Sequence, residues 1–425
     1  MTALSLAADG QTTPEVDMLV VGAGIIGVAC ALRLARQGLR VHLIDAQAPG
    51  HGASYGNAGH LATEQVFPIA DASLLRRLPG MLMDPLGPLR LDWRYLPRAL
   101  PWLSRLLWNL RPEPFRQTVA GLRALNERSL GAWQRLLGEI GQMTLLRLEG
   151  SLLMHELVGA RPGVEDLQRR LRDQGVKVEP WTATRILQAA PALAPTVAGG
   201  LFFPDTGHVL DPLRVVNELA RAAQACGARI LRGRVSDGCV HPAGVTLNTD
   251  QGALSARRVL IACGAHSAPL VRALTGRSVP LDTERGYHLM LPAERNRLPF
   301  AVTSYERKFI MTPMSGGLRL AGTVEFAGLK RPPTMRRAWQ LQSLSQGLFR
   351  APLNFDGAEP WMGFRPSLPD SLPVIDHAAD GKVLLAFGHQ HLGLTQAAIT
   401  AELIGELASS GTRPAVLEPY HLDRW

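Results

Sequence analysis

Val20-Val21-Gly22-Ala23-Gly24-Ile25-Ile26-Gly27 joins a β-branched run to a Gly-x-Gly-x-x-Gly turn that opens an amphipathic helix. Gly22 permits the tight turn, Gly24 lets backbone approach a pyrophosphate, and Gly27 allows the helix to lie close on the strand. The helix N-terminus then faces the phosphates with its free N–H groups. Beyond the helix, Val41-His42-Leu43-Ile44-Asp45 reads as the second parallel strand. Asp45 stands at its end, where a carboxylate accepts hydrogen bonds from ribose hydroxyls. The spacing from turn to acid makes this a dinucleotide site rather than a glycine-rich bend.

The surrounding composition is that of an ordinary globular protein: 425 residues, 46% hydrophobic, enough for two or three domains. The formal charge of +9 does not read as a nucleic-acid surface, because only four of the 45 basic residues are lysines and they are scattered. Cys30, Cys226, Cys239 and Cys263 show no Cys-x-x-Cys spacing, so neither a metal site nor a disulfide framework is expected, and a reducing, cytoplasmic compartment fits. Residues 1–16 lack a basic segment followed by an apolar core and read as a frayed tail rather than a secretory signal. Met18 to Leu32 is too short to span a bilayer.

Past Asp45, the segment His51 to His60 is dense in small residues and can lie against a flat ligand. From Ser73 to about Gly141 the pattern is helical, with no strand signal. Leu152 to His155 reads as a strand, Val164 to Gln174 as a helix ended by Gly175, and Val176 to Val178 as a strand before a helix at Thr184 to Ala190. Gly199 to Pro204 reads as a strand, and Asp211 caps a helix that begins at Pro212 and stops at Gly227. Strands at Arg229 to Leu231, Gly238 to Val240, Val245 to Asn248 and Arg258 to Ala262 then resume the dinucleotide domain. Val279 to Gly322 carries several β segments, Thr334 to Phe349 a helix, Val383 to Phe387 a strand and Thr395 to Ala408 a helix.

Six ordered stretches resemble the FAD-dependent amine and amino acid oxidoreductases of the D-amino acid oxidase superfamily, and most of all its bacterial D-amino acid dehydrogenases. They are VVGAGIIGVACALRLARQGLRVHLID, SYGNAG, RVLIACGAHS, RGYHLML, WMGFRPSLPDSLPVID and FGHQHLGLTQAAITAELI, between Asp17 and Leu407. The resemblance implies an α/β fold in which an FAD-binding doubly wound (glutathione-reductase-like) domain carries an inserted α+β substrate domain. Residues 14–70, 196–275 and 356–420 would form the FAD-binding domain, and 71–195 with 276–355 the substrate domain.

It also implies where the cofactor lies. Gly22, Gly24, Ile25, Ile26, Gly27, Asp45 and Ala46 would hold its nucleotide end, and Ser54, Asn57, Ala58 and Gly59 would run beside the flavin. Val235, Cys263 and Gly264 would contact the phosphate and ribose end. Gly388, His391, Leu392, Gly393, Leu394 and Thr395 would place backbone N–H groups and a helix dipole at the pyrimidine side of the reduced flavin. No cysteine follows Cys263, so the attachment through a C-terminal cysteine found in some relatives is absent and FAD is expected to bind noncovalently; His51 and His60 are the alternative attachment points. His389 and His391 resemble metal ligands only superficially, since no third ligand completes a set nearby, and no metal is expected.

For catalysis the resemblance points to Arg365, whose Gly-x-Arg-Pro motif would pair bidentately with a substrate carboxylate, and to Tyr287 and His288 as contacts for the carboxylate or amine. The implied reaction is hydride transfer from Cα of a D-amino acid to the flavin, with the imine hydrolysed to a 2-oxo acid and ammonia. The substrate pocket is expected from residues 287–325 and the helical insertion. Electrons would pass to a quinone or another respiratory acceptor. Oxidation of a secondary amine such as sarcosine, a glycine derivative or hydroxy-D-proline is the enzymatic alternative, and an auxiliary flavin-binding subunit the non-catalytic one. Residues 71–116 combine Trp93, Tyr95, Trp102 and Trp108 with eight arginines against four acids, which suits peripheral contact with the cytoplasmic face of the inner membrane or, equally, a soluble helical cap.

Overall fold

A computed structural model describes residues 15–68, 70 and 89–425. The expected frayed tail up to residue 14, and the start of the basic aromatic segment from 71 to 88, lie outside the described residues.

A six-stranded sheet is built from segments far apart in the chain. Its order is Arg229–Arg232, Val41–Asp45, Met18–Val21, Arg258–Ile261, Val383–Phe387 and Val374–Ala378. The first five strands are parallel and the last antiparallel. Their near-continuous apolar runs have a simple cause: both faces are covered. Met18, Val20, Leu43, Leu260 and Leu384 point into one core, while Leu19, Val21, Ile44, Val259, Ile261 and Leu385 point into another. The helices Ile25–Arg36, Pro212–Ala225, Gly393–Ser410 and Pro112–Glu139 pack over the first face. A three-stranded antiparallel sheet, 235–256, and the helix Ser267–Thr275 cover the second.

The Pro112–Glu139 helix departs from the expected segmentation, which placed it in the substrate domain. Its Leu122, Leu125, Ala132, Trp133 and Leu137 belong to the nucleotide-side core. Trp133, fully buried, donates from Nε1 to the carbonyls of Leu394 (2.9 Å) and Thr395 (3.2 Å). It therefore pins one helix over the start of another.

The second sheet has nine strands. Eight run in the order Glu359–Ser367, Asp282–Leu291, Gly317–Phe326, Phe309–Met314, Ala301–Ser304, Ser151–His155, Gly199–Phe203 and Glu179–Thr182, and Leu89–Leu91 adds to Gly317–Phe326. Two of these strands, 199–203 and 359–367, were expected among the FAD-binding segments; hydrogen bonding puts them in this sheet instead. Leu89–Leu91 interrupts the region read as wholly helical, pairing in parallel with Val324–Phe326. The strand expected at 176–178 begins at Glu179, where Trp181 stacks on Phe202 at 4.0 Å between ring centroids.

Candidate active site

One cavity of about 890 Å³ runs between the two sheets, within the usual range for cofactor and ligand sites. Gly22, Gly24, Asp45 and Ala46 line one end, and Thr303, Phe309, Ile310 and Arg365 are also in its wall.

At the nucleotide end the three glycines have separate causes. Gly22 has φ +104°, and a Cβ there would stand 2.4 Å from the carbonyl oxygen of Ala262. A Cβ on Gly27 would sit 1.8 Å from the carbonyl oxygen of Gly22, so this glycine serves packing and lies off the cavity wall. Gly24 meets only the Ser54 hydroxyl at 3.4 Å; no protein packing demands its bareness, and the open space before it is the cavity. The helix it begins has no side-chain cap of its own, but Ser54 Oγ accepts from the Ile25 N–H at 2.9 Å. Asp45 accepts from the N–H groups of Ala23 (2.7 Å) and Gln47 (2.7 Å), which fixes its carboxylate at the cavity edge. Ile25, Ile26, Ala46, Val235, Cys263 and Gly264 line the same end.

The 54–59 loop is held by groups the sequence did not flag. Arg319, on the strand Gly317–Phe326, donates from Nη1 to the carbonyls of Asn57 (2.5 Å) and Tyr55 (3.4 Å). His288 bonds the Gly56 carbonyl through Nδ1 at 2.9 Å and stacks on Trp361, with centroids 5.0 Å apart. Burial, with Arg319 adding to it, pushes the His288 pKa down to about 3, so the ring is neutral and donates. Asn57 Oδ1 closes the loop on the Gly59 N–H at 2.8 Å. Gly56 is bare because the Trp361 ring would stand 2.1 Å from its Cβ, and Gly59 because Met314 lies behind it. Ser54, Asn57 and Ala58 line the cavity, whereas Gly59 does not.

These contacts correct the expectation for His288. It is behind the loop, off the cavity wall, where it cannot meet a carboxylate or amine. Tyr287 does border the cavity, but its hydroxyl donates to Glu325 at 2.5 Å and accepts from the Thr334 N–H at 3.1 Å. The phenol is thereby committed to a buried cluster with Arg285, whose guanidinium ties the carbonyls of Gly328, Arg331 and Pro332.

Arg365 differs from both. It lies on the strand Glu359–Ser367 in register with Glu284, and its guanidinium occupies the space a side chain on Gly286 would fill: Nη2 would be 2.4 Å from that Cβ. Among the described residues it makes no hydrogen bond or ion pair. Burial lowers its pKa and the Glu284 charge partly restores it. Glu284 is buried, accepting from Ser367 Oγ at 2.5 Å, and burial raises its pKa. A half-buried guanidinium that makes no hydrogen bond among the described residues stands ready for an anion.

In the C-terminal loop, Gly388 (φ +85°) is forced bare by Leu368, whose Cδ1 would stand 2.3 Å from its Cβ. Gln390, at φ +50°, leads a short turn into the helix Gly393–Ser410, which has no side-chain cap. Gly388, His391, Gly393 and Leu394 line the cavity, while Leu392 and Thr395 lie behind it; Thr395 Oγ1 accepts from the Ala62 N–H at 3.0 Å. His389 is also buried and bonds Thr400 Oγ1 at 3.0 Å, and burial pushes its pKa to about 3. His60, in the cavity wall, has both ring nitrogens engaged, with the Gly207 carbonyl at 3.1 Å and Glu64 Oε1 at 3.0 Å. His51 also lines the cavity, its Nδ1 3.2 Å from the Pro49 carbonyl. Of residues 287–325, Tyr287, Thr303, Lys308, Phe309, Ile310 and Ala321 to Val324 line the cavity, whereas none of residues 89–195, the described part of the helical insertion included, does.

A cavity that starts at a dinucleotide turn and holds in its wall a guanidinium without a hydrogen-bond partner among the described residues is the plan of a nucleotide-cofactor enzyme acting on a small anion. Comparison with known proteins narrows this. Residues 17–407 match the FAD dependent oxidoreductase (DAO) family, to which the chain belongs. It is 36% identical over 418 residues to a D-amino-acid oxidase of Bradyrhizobium diazoefficiens, covering 96% of this chain and 98% of that one. It is 30% identical over 418 residues to D-amino acid dehydrogenase 2 of Pseudomonas aeruginosa, covering 94% and 96%. Among solved structures, glycine oxidase from Geobacillus kaustophilus shares the fold with a TM-score of 0.74 at 23% identity, covering 96% and 98%. The protein is thus an FAD-dependent oxidoreductase, and its residues fit that cofactor: a bare Gly24 before open space, the Gly393–Ser410 helix start without a side-chain cap, and one cavity lined by both.

Proposed function

We propose that the chain oxidises a D-amino acid at the Cα–N bond to an imine, which water hydrolyses to a 2-oxo acid and ammonia, and that the electrons leave to a respiratory acceptor. The observation that carries this reading is Arg365, an unpaired guanidinium in the wall of the cavity that the 54–59 loop and the Gly388–Leu394 turn also line. Bound FAD supplies the hydride acceptor. Arg365 holds the carboxylate bidentately, which turns Cα toward the cofactor and removes translational freedom before reaction. Glu284 limits the positive charge around it, and the bare Gly286 leaves the space that the Arg365 guanidinium occupies. The named relatives, an oxidase and a dehydrogenase of D-amino acids, support the substrate class and divide on the acceptor.

An anaerobic panel tests this reading. Primary D-amino acids should bleach the bound flavin, and turnover should follow with a dye acceptor at a rate well above oxygen consumption. Bleaching by secondary amines alone would replace the substrate class, and equal rates with oxygen would replace the acceptor.

Among the described residues no helix is long and apolar enough to cross a membrane. We place peripheral contact on the helix Leu96–Asn109, where Leu100, Leu107 and Trp108 are exposed beside Arg98 and Arg105, with Trp93 just before it at 62% exposure. Aromatic and aliphatic side chains flanked by arginine, with no acid in the helix, favour an anionic lipid surface. Sedimentation with anionic vesicles at low salt should carry the protein down, and Trp93→Ser/Trp108→Ser should abolish it. No sedimentation of the unaltered chain removes the membrane reading.

A further inference from the structure

His391 occupies the middle of the turn Gln390–Leu392, and its side chain shares the cavity wall with Arg365. Its Nε2 lies 2.5 Å from Gln65 Oε1. That oxygen only accepts, so Nε2 carries the hydrogen and Nδ1 carries a lone pair. Gln65 is fixed from behind. Its N–H donates to the Ala62 carbonyl at 3.2 Å, and its carbonyl accepts from Asn126 Nδ2 at 3.0 Å. Asn126 Oδ1 in turn accepts from Gln396 Nε2 at 3.0 Å, and both of those amides are fully buried. The turn is held from the other side by Gln390, whose Nε2 donates to the Leu368 carbonyl at 3.0 Å. An orienting chain of this depth is what a ligand-facing imidazole needs, because the partner on one nitrogen decides what the other can do.

Burial, then the charges of Arg365 and His60, press the His391 pKa down to about 3. The ring therefore stays neutral, and a neutral ring does not repel an ammonium group. We infer that His391 Nδ1 accepts an N–H from the amine nitrogen of the substrate while Arg365 holds its carboxylate. The inference rests on the carboxylate reading of Arg365 given above. The backbone of the turn is left for the cofactor, and the two side chains fix Cα from two directions.

Two planar ligands of equal shape provide the test. Pyrrole-2-carboxylate carries an N–H beside its carboxylate, and 2-furoate carries an ether oxygen in the same place. Each is titrated into the FAD-loaded protein and followed by flavin absorbance. The unaltered protein should prefer pyrrole-2-carboxylate by roughly tenfold or more, since 2-furoate sets a lone pair against a lone pair. His391→Leu should erase that preference and leave 2-furoate affinity within about twofold of its starting value. Gln65→Met, which keeps the imidazole but frees its tautomer, should shrink the preference by part of that factor. An intact preference in both variants, or none in the unaltered protein, overturns the inference. If Arg365→Gln leaves both ligands binding as before, the carboxylate reading has failed instead.

Discussion

At the scale of single residues, the sharpest expectation concerns Arg365. Among the described residues its guanidinium makes no hydrogen bond, so removing it breaks none, and buried Glu284 keeps its bond to Ser367 Oγ while losing a favourable charge nearby. Arg365→Gln should retain FAD and weaken a carboxylate ligand by about a hundredfold, on the order of 3 kcal/mol for a lost charge-assisted pair, as read by ligand-induced flavin difference spectra. Unchanged ligand affinity would remove it from the site. Gly27→Ala is the opposite kind of change: a Cβ 1.8 Å from the Gly22 carbonyl must push the helix off the strand, and the purified variant should carry little or no FAD, measured as flavin per protein. Both residues were legible in the sequence because their reasons are local or motif-borne. Tyr287 and His288 were legible only as a pair. Adjacent strand residues face opposite sides, and which side meets the cavity depends on Glu325, Thr334 and Trp361, which lie on other elements. Nothing in local spacing marks Gln65 as the partner of a histidine 326 residues further on.

At the scale of elements, the 54–59 loop is an irregular segment kept in place from one strand by Arg319 and from the next by His288. Replacing Arg319 with Met leaves the Tyr55 and Asn57 carbonyls unpaired in a partly buried place, at a cost of roughly 1–3 kcal/mol. We expect about a tenfold loss of FAD affinity, together with faster amide exchange confined to residues 54–59, measured by hydrogen exchange on the FAD-free protein. Protection that matches the unaltered chain would show that the loop holds itself. The parallel strands were legible as elements because burial on both faces makes their apolar runs continuous. Leu89–Leu91 was not: three residues gain strand structure only from Val324–Phe326 alongside. The segmentation missed 199–203 and 359–367 for a related reason, since a strand's sequence does not say which sheet it joins.

At the scale of the whole molecule, histidine burial sets the response to acid. His208, with a pKa lowered to about 4, and His288, His389 and His391, each lowered to about 3, stay neutral in the folded chain; burial is the first cause in every case. Unfolded, all four would titrate near 6.5. The unfolded state therefore binds more protons between about pH 6.5 and 4, and stability falls as pH falls through that window. Urea midpoints should drop steeply from pH 7 to 5.5, and His389→Gln should reduce the slope by about one proton. A flat profile would contradict the burial. His60 works in the other sense. Burial opposes its charge, but Glu64 and the Gly207 carbonyl outweigh that and raise its pKa. Its contribution is complete below about pH 6.5 and lost as pH rises through the raised value, so His60→Gln should flatten the alkaline side of the same curve.

The order of strands in the parallel sheet also has a consequence for synthesis. Arg258–Ile261 is flanked by Met18–Val21 on one side and by Val383–Phe387 on the other. When the first of these neighbours is already in place, the second has yet to be translated. At 5–20 residues per second, the outer edge of the Arg258–Ile261 strand waits roughly 6–25 s on the ribosome before its partner emerges. During that interval the nascent chain presents an open, apolar strand edge of the kind that recruits other strands. Slowing translation downstream of residue 261 should therefore increase the share of newly made protein captured by chaperones or lost to aggregation, although the finished fold is unaltered.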